Sequence, residues 1–195
     1  MTRSLLLCLT LLLCSCASFD KTNIRPGQRV EGLGFSFAVP TQKAWFAVQY
    51  GSGHRIKLSQ LNDEDSYSIS ISLNRGPAKG MYQSAEAHLR AIQRHRAVWP
   101  KSFGFSRLRR DEWPDPQYGA LCIRYSAYDE DWRGRSRKGP AMVELIGLSC
   151  EHPEIDNVLI SIDITRRHEV EAPAIDLVAF ADALFSSVEY ERIEQ

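Results

Sequence analysis

The sequence predicts an α+β fold, a single antiparallel β-sheet domain with helices packed on it, and three stretches carry that prediction. In SYSISISL, Tyr67, Ile69, Ile71 and Leu73 alternate with Ser66, Ser68, Ser70 and Ser72, the period of a strand with one apolar face. NVLISIDIT repeats the pattern with Val158, Ile160, Ile162 and Ile164. Between them the period lengthens to that of a helix, with Ser84 as N-cap, Glu86 in the first turn and a stripe of Ala85, Leu89, Ile92 and Trp99 that Pro100 ends.

The other elements follow in order. FSFAVP places Phe35, Phe37 and Val39 on one side of a first strand ended by Pro40. AWFAVQY and HRIKLSQL flank the turn GSG and form a hairpin. After the first helix, FGFSRLRRDEW is a strand with an arginine-rich outer side. YGALCIRYSAY and AMVELIGLSC form a long hairpin centred near Ser136. A last helix opens on Pro173 and carries Ile175, Leu177, Val178, Phe180, Ala181 and Leu184, and SSVEYERI returns as a short strand. The order is β-β-β-β-α-β-β-β-β-α-β, with no repeat and no low-complexity tract.

The N-terminus is of a different kind. Arg3 precedes the apolar run SLLLCLTLLL, which fits a secretory h-region of roughly 7–15 residues and is shorter than the about 20 needed to cross a bilayer. Leu13-Cys14-Ser15-Cys16 resembles the lipobox of bacterial lipoproteins, with an aliphatic residue three before the cysteine and a small one just before it. Cys14 fails the same test because bulky Leu13 precedes it. The resemblance implies cleavage after Ser15, acylation of Cys16 and, with Ala17 next, sorting to the outer membrane with the domain on its periplasmic face. Each buried methylene would add about 0.8 kcal/mol to the membrane anchor. The expected organisation is a signal peptide over 1–15, a lipidated N-terminus and flexible tether over 16–33, and one globular domain over 34–195.

Lys+Arg 24 balances Asp+Glu 24, which removes any global electrostatic reason to bind nucleic acid. Cys8 and Cys14 depart with the signal and Cys16 is taken by lipid, leaving Cys122 and Cys150 as a pair in an oxidising compartment. A hairpin centred near Ser136 sets them opposite each other, so a cross-strand disulfide is expected. The rival reading makes Cys150 and His152, with Glu151, Glu154 and Asp156, a nucleophile and base or a metal site, although no second ligand pair with zinc spacing accompanies them.

Other chemistry finds little support. His88 and His95 are two helical turns apart, about 11 Å, too far to share a metal. His54 and His168 have no partner nearby in sequence, and the histidines read as surface or half-buried groups in ordinary hydrogen bonds. GSGH lacks the strand-to-helix context of a hydrolase elbow, and Asp63, Glu64 and Asp65 supply too few oxygens for calcium. The segment DEDWRGRSRKG is the most unusual. Trp132 beside Arg133, Arg135 and Arg137 at a hairpin tip has the composition of a partner interface, against the alternative of a solvated loop whose charges pair internally.

A first strand FSFAVP followed by a Trp-containing strand, with a helix and a short SSVEY strand at the end, resembles the PsbP-like fold over Gly34 to Tyr190. That resemblance implies an α/β/α sandwich used for binding proteins or ligands and brings no catalytic residue. The expected protein is a non-enzymatic lipid-anchored envelope module without cofactor or metal, held to the membrane through Cys16 and bound to an envelope protein partner.

Overall fold

The computed structural model describes residues 22–41, 45–50, 55–61, 65–76, 82–97, 105–136 and 139–192, with side chains at 22, 47–50, 61, 95–97 and 133–136 excepted. The elements in chain order are β1 (Thr22–Ile24), β2 (Arg29–Glu31), β3 (Phe35–Ala38), β4 (Trp45–Tyr50), β5 (Arg55–Leu61), β6 (Asp65–Arg75) and α1 (Ala85–Ala97). They continue with β7 (Phe105–Pro114), β8 (Ile123–Ser136), β9 (Gly139–Glu151), β10 (Val158–His168), α2 (Leu177–Ser186) and β11 (Glu189–Tyr190). Eight strands form an antiparallel sheet in the order β1-β4-β5-β6-β10-β9-β8-β7, and β11-β3-β2 form a second, three-stranded one. The α+β prediction of antiparallel sheet with helices packed on it holds, and the small sheet adds to it.

Alternation decides the faces. Ile71, Ile162 and Leu148 stand opposite one another on β6, β10 and β9, and so do Ile69, Ile164 and, across β10, Ile146. These residues point to one face, where Leu177, Ala181, Leu184 and Phe185 of α2 and Phe35, Phe37 and Val39 around β3 complete a single buried core. On the opposite face Ser68, Ser70 and Ser72 meet Thr165, Asp163 and Ser161, a polar strip of half-buried and buried side chains. Ile123 and Tyr125 also point to that opposite face yet are fully buried, and α1 is the helix that contacts β7 and β8 there. One helix therefore lies on each side.

The tether expected over 16–33 is corrected for the residues the structure describes. β1 pairs with β4 and β2 with β3, because Ile24 reaches the core and Val30 packs against it. Pro26 and Gly27 turn the chain between the two strands, Gly27 at φ 75°. Each short strand gains its ladder hydrogen bonds from a different partner, β1 from β4 in the large sheet and β2 from β3 in the small one.

Both helix starts depend on capping. Ser84 Oγ accepts from Ala87 N at 3.3 Å, as the sequence suggested. The last helix does not open on Pro173: α2 begins at Leu177, with Asp176 Oδ1 accepting from Ala179 N at 2.9 Å. An aspartate N-cap supplies a side-chain acceptor that proline lacks, and the Pro173 carbonyl instead accepts from Arg166 Nη2 at 2.7 Å.

The sheet's free edges are protected. β1 has three residues, and β7 carries a bulge at Leu108, three arginines and a terminal proline.

Candidate binding groove

The core face of the large sheet is not covered to its end. Arg109, Asp111 and Trp113 on β7 pair with Tyr128, Ser126 and Arg124 on β8, which pair in turn with Glu144, Ile146 and Leu148 on β9. All point to the face that α2 covers. α2, however, rests on β9 and β10. Between its N-terminal turn and the β7–β8 edge lies an open groove of about 820 Å³, within the roughly 300–1,000 Å³ common for ligand sites.

Its apolar surface comes from Trp113, Ile175 and Val178, which are 39%, 41% and 52% exposed. Ile175 and Val178 were counted among the apolar residues of a helix opening on Pro173. Starting the helix at Leu177, capped by Asp176, puts Ile175 before it and turns Val178 outward, while Leu177 and Ala181 take the buried stripe. Leu108 and Trp132, 52% and 46% exposed, extend the apolar character of the same β7–β8 hairpin. In the groove itself the exposed apolar patch consists of Trp113, Ile175 and Val178.

Polar groups frame the groove. Arg109 Nε lies 2.7 Å from Asp111 Oδ2 at the rim. Arg124, almost fully buried, donates from Nη1 to Asp182 at 2.6 Å, sits 3.6 Å from Asp115 and lies over the Phe185 ring. Tyr118 Oη donates to the same Asp182 oxygen. Glu144 lines the floor and joins a network that the sequence did not reveal: its Oε1 is 2.9 Å from His168 Nε2 and 3.6 Å from Arg166 Nη1. Arg166, 1% exposed, also donates to Asp65 at 3.0 Å, and Tyr67 Oη reaches that carboxylate. Arg166 continues the inward stripe of Ile160, Ile162 and Ile164, so alternation alone could have flagged a buried cation in need of carboxylates.

The residues named from sequence fall as follows. Cys122 and Cys150 form a disulfide with Cα atoms 4.2 Å apart. Cys16 and Arg137 lie outside the described residues, as do His54 and the carboxylates of positions 63 and 64. Trp132 is exposed and donates from Nε1 to Glu130 Oε2 at 3.1 Å. The expected loop around it is strand: β8 runs through Arg133 and Arg135 to Ser136, where it pairs with Gly139 after a register shift. Asp129 is engaged by Arg107 of the neighbouring β7 at 2.9 Å and Asp131 by Arg167 of β10, two strands away, at 3.2 Å.

His152 is structural. Nε2 donates to Gly34 O at 2.8 Å, and Nδ1 accepts from the Glu154 and Ile155 amides at 3.2 and 3.1 Å. With Cys150 bonded and both ring nitrogens used, the rival nucleophile or metal reading has lost its chief members. Among the described residues no cluster of metal-ligating side chains occurs. His88, expected at or near the surface, is fully buried, its Nδ1 2.6 Å from Leu121 O and its ring stacked on Tyr82.

Burial lowers the pKa of both His152 and His88, against the raising effect of their carbonyl partners. The unfolded imidazole titrates near 6.5, so below that pH the unfolded chain binds more protons than the native one. Stability should be full above about 6.5 and decline as pH falls through the lower native values. Urea unfolding at pH 7.0 and 5.0 measures this, and His152→Gln should flatten the slope between them; an unchanged slope would contradict the assignment.

No protein-family model matches the chain, and neither does any curated protein. Among solved structures, the solution structure of cyanobacterial PsbP (CyanoP) from Synechocystis sp. PCC 6803 is similar to this chain at 13% identity and a TM-score of 0.49, covering 91% of this chain and 98% of that one.

Proposed function

We propose that the chain is a lipid-anchored protein of the outer membrane's periplasmic face, held through Cys16, that works as a non-enzymatic binding or assembly module and receives an envelope protein partner in the β7–β8 groove. The observation that carries this reading is the groove itself: three exposed apolar side chains, Trp113, Ile175 and Val178, line an open cavity with a charged rim. The geometry of the tether supports a protein rather than a lipid head group as partner. Thr22 follows Cys16 by six residue steps, a reach of at most about 20 Å. β1 is one edge of the sheet and β7 the other, about 34 Å apart across seven strand spacings. The groove is therefore carried on the edge remote from the anchor.

Two variants test the parts separately. Cys16→Ala should release the protein from the membrane fraction or leave the precursor uncut; palmitate incorporated into that variant would refute the anchor. Val178→Asp alters an exposed side chain, so the fold should persist while crosslinked partner falls at least ten-fold. Unchanged recovery would remove the groove from the account.

A further inference from the structure

Charge is unevenly placed along this chain. From Cys16 to Gln60 there are six lysines and arginines against two acids, Asp20 and Glu31, although the totals are equal at 24. The three strands nearest the N-terminus in the large sheet, β1, β4 and β5, carry Arg55 and Lys57 and no acid. Both cations alternate with Ile56 and Leu58, which are buried in the core, so they stand on the sheet's other face. Their neighbours there are small and mostly hydroxylated. Arg55 is in register with Ser72 and, one strand further, Ser161, while Lys57 is in register with Ser70 and then Asp163. That carboxylate accepts from Tyr125. Arg55 is exposed and Lys57 half-buried, and neither makes an ion pair; exposed Arg25, just after β1, makes none either. Arg29, by contrast, is bridged to Glu189 at 2.8 Å. Cations without counterions beside a row of hydroxyls suit phosphate esters, whose oxygens accept from both kinds of donor.

The tether selects which phosphates are met. Thr22 on β1 lies two strand spacings, about 10 Å, from β5, and its reach from Cys16 is at most about 20 Å. Resting on the reading of Cys16 as the anchor, we propose that the polar face of β5 and β6 docks on anionic phospholipid head groups of the leaflet that holds the acyl chains. The tether keeps this face at high effective concentration over that surface, so a few cations suffice to hold it there. The β7–β8 groove, on the core face and at the other edge, stays open to its partner.

The test adds protein purified from cells to vesicles of phosphatidylcholine alone or mixed with phosphatidylglycerol, both carrying a nitroxide lipid at head-group depth. A fluorophore on Asn74→Cys, exposed on the polar face two residues beyond Ser72, reports docking, and one on Leu108→Cys reports the remote edge. Quenching at position 74 should be several-fold greater on the anionic vesicles, and both Arg55→Glu with Lys57→Glu and molar salt should abolish the difference. The label at position 108 should respond to neither. Quenching alike on the two vesicle types, equal at both labels, or unmoved by charge reversal and by salt would overturn the proposal while the protein still floats with the vesicles. A protein that floats with neither vesicle would overturn the anchor and the proposal together.

Discussion

Gly147→Ala is expected to destabilise the protein by about 3–5 kcal/mol, combining overpacking with a lost charged hydrogen bond. Gly147 lies on β9 between Tyr125 of β8 and Asp163 of β10, directly in register with both. The phenol crosses the bare backbone at Gly147 and donates to Asp163 Oδ1 at 2.6 Å. A Cβ there would collide with the Tyr125 ring and stand 2.6 Å from the Asp163 carboxylate. Neither partner can yield easily: the tyrosine is 1% exposed under α1 and the carboxylate is its acceptor. Urea denaturation measures the cost, and in a Tyr125→Leu background the alanine should cost much less, because the ring that it strikes is gone. A change under about 0.5 kcal/mol in the native background would contradict the arrangement.

The second large effect concerns the disulfide. Reduction, or Cys122→Ala with Cys150→Ala, should cost about 3–4 kcal/mol on the chain-entropy model, given a sequence separation of 28. Both cysteines are almost fully buried in the core beside α2, so reduction should require denaturant. Mass spectrometry of the denatured, unreduced protein should show no alkylated thiol at either position and a gain of two hydrogens after reductant. Two freely alkylated thiols before reduction would contradict the bridge.

The bridge was legible because strand register is a matter of counting. Ile123 faces Ser149 and Arg124 faces Leu148, so residues 122 and 150 meet around a centre at Ser136, where the sequence put it. SYSISISL and NVLISIDIT were legible for the same reason, since a period of two with one apolar face has a single solution. Less was visible where a structural outcome depended on an element elsewhere. Ile24 and Val30 read as isolated apolar residues in a polar stretch until a core exists for them to join. His88 read as a surface or half-buried group because a histidine on a helix gives no sign that the helix will press it against Leu121.

The groove was the least visible feature, and its causes are specific. Trp113, Ile175 and Val178 are apolar residues in or beside elements that bury others, and nothing in their local pattern says that α2 starts at Leu177 and stops short of β7. The fold leaves them exposed by where a helix ends, which is a tertiary fact. The Trp132 segment, by contrast, stood out in composition alone, but its placement did not: it extends a strand instead of forming a mobile loop.

The proposed role of the groove as a working surface requires that a partner cover it in the cell. Hydroxyl-radical footprinting compares the dilute purified protein with the same protein in intact cells. Trp113 should be oxidised in the purified protein and protected in cells by at least several-fold, while Val170, exposed outside the groove lining, reacts alike in both. Equal oxidation of Trp113 in the two states would show the groove empty in place and contradict the account.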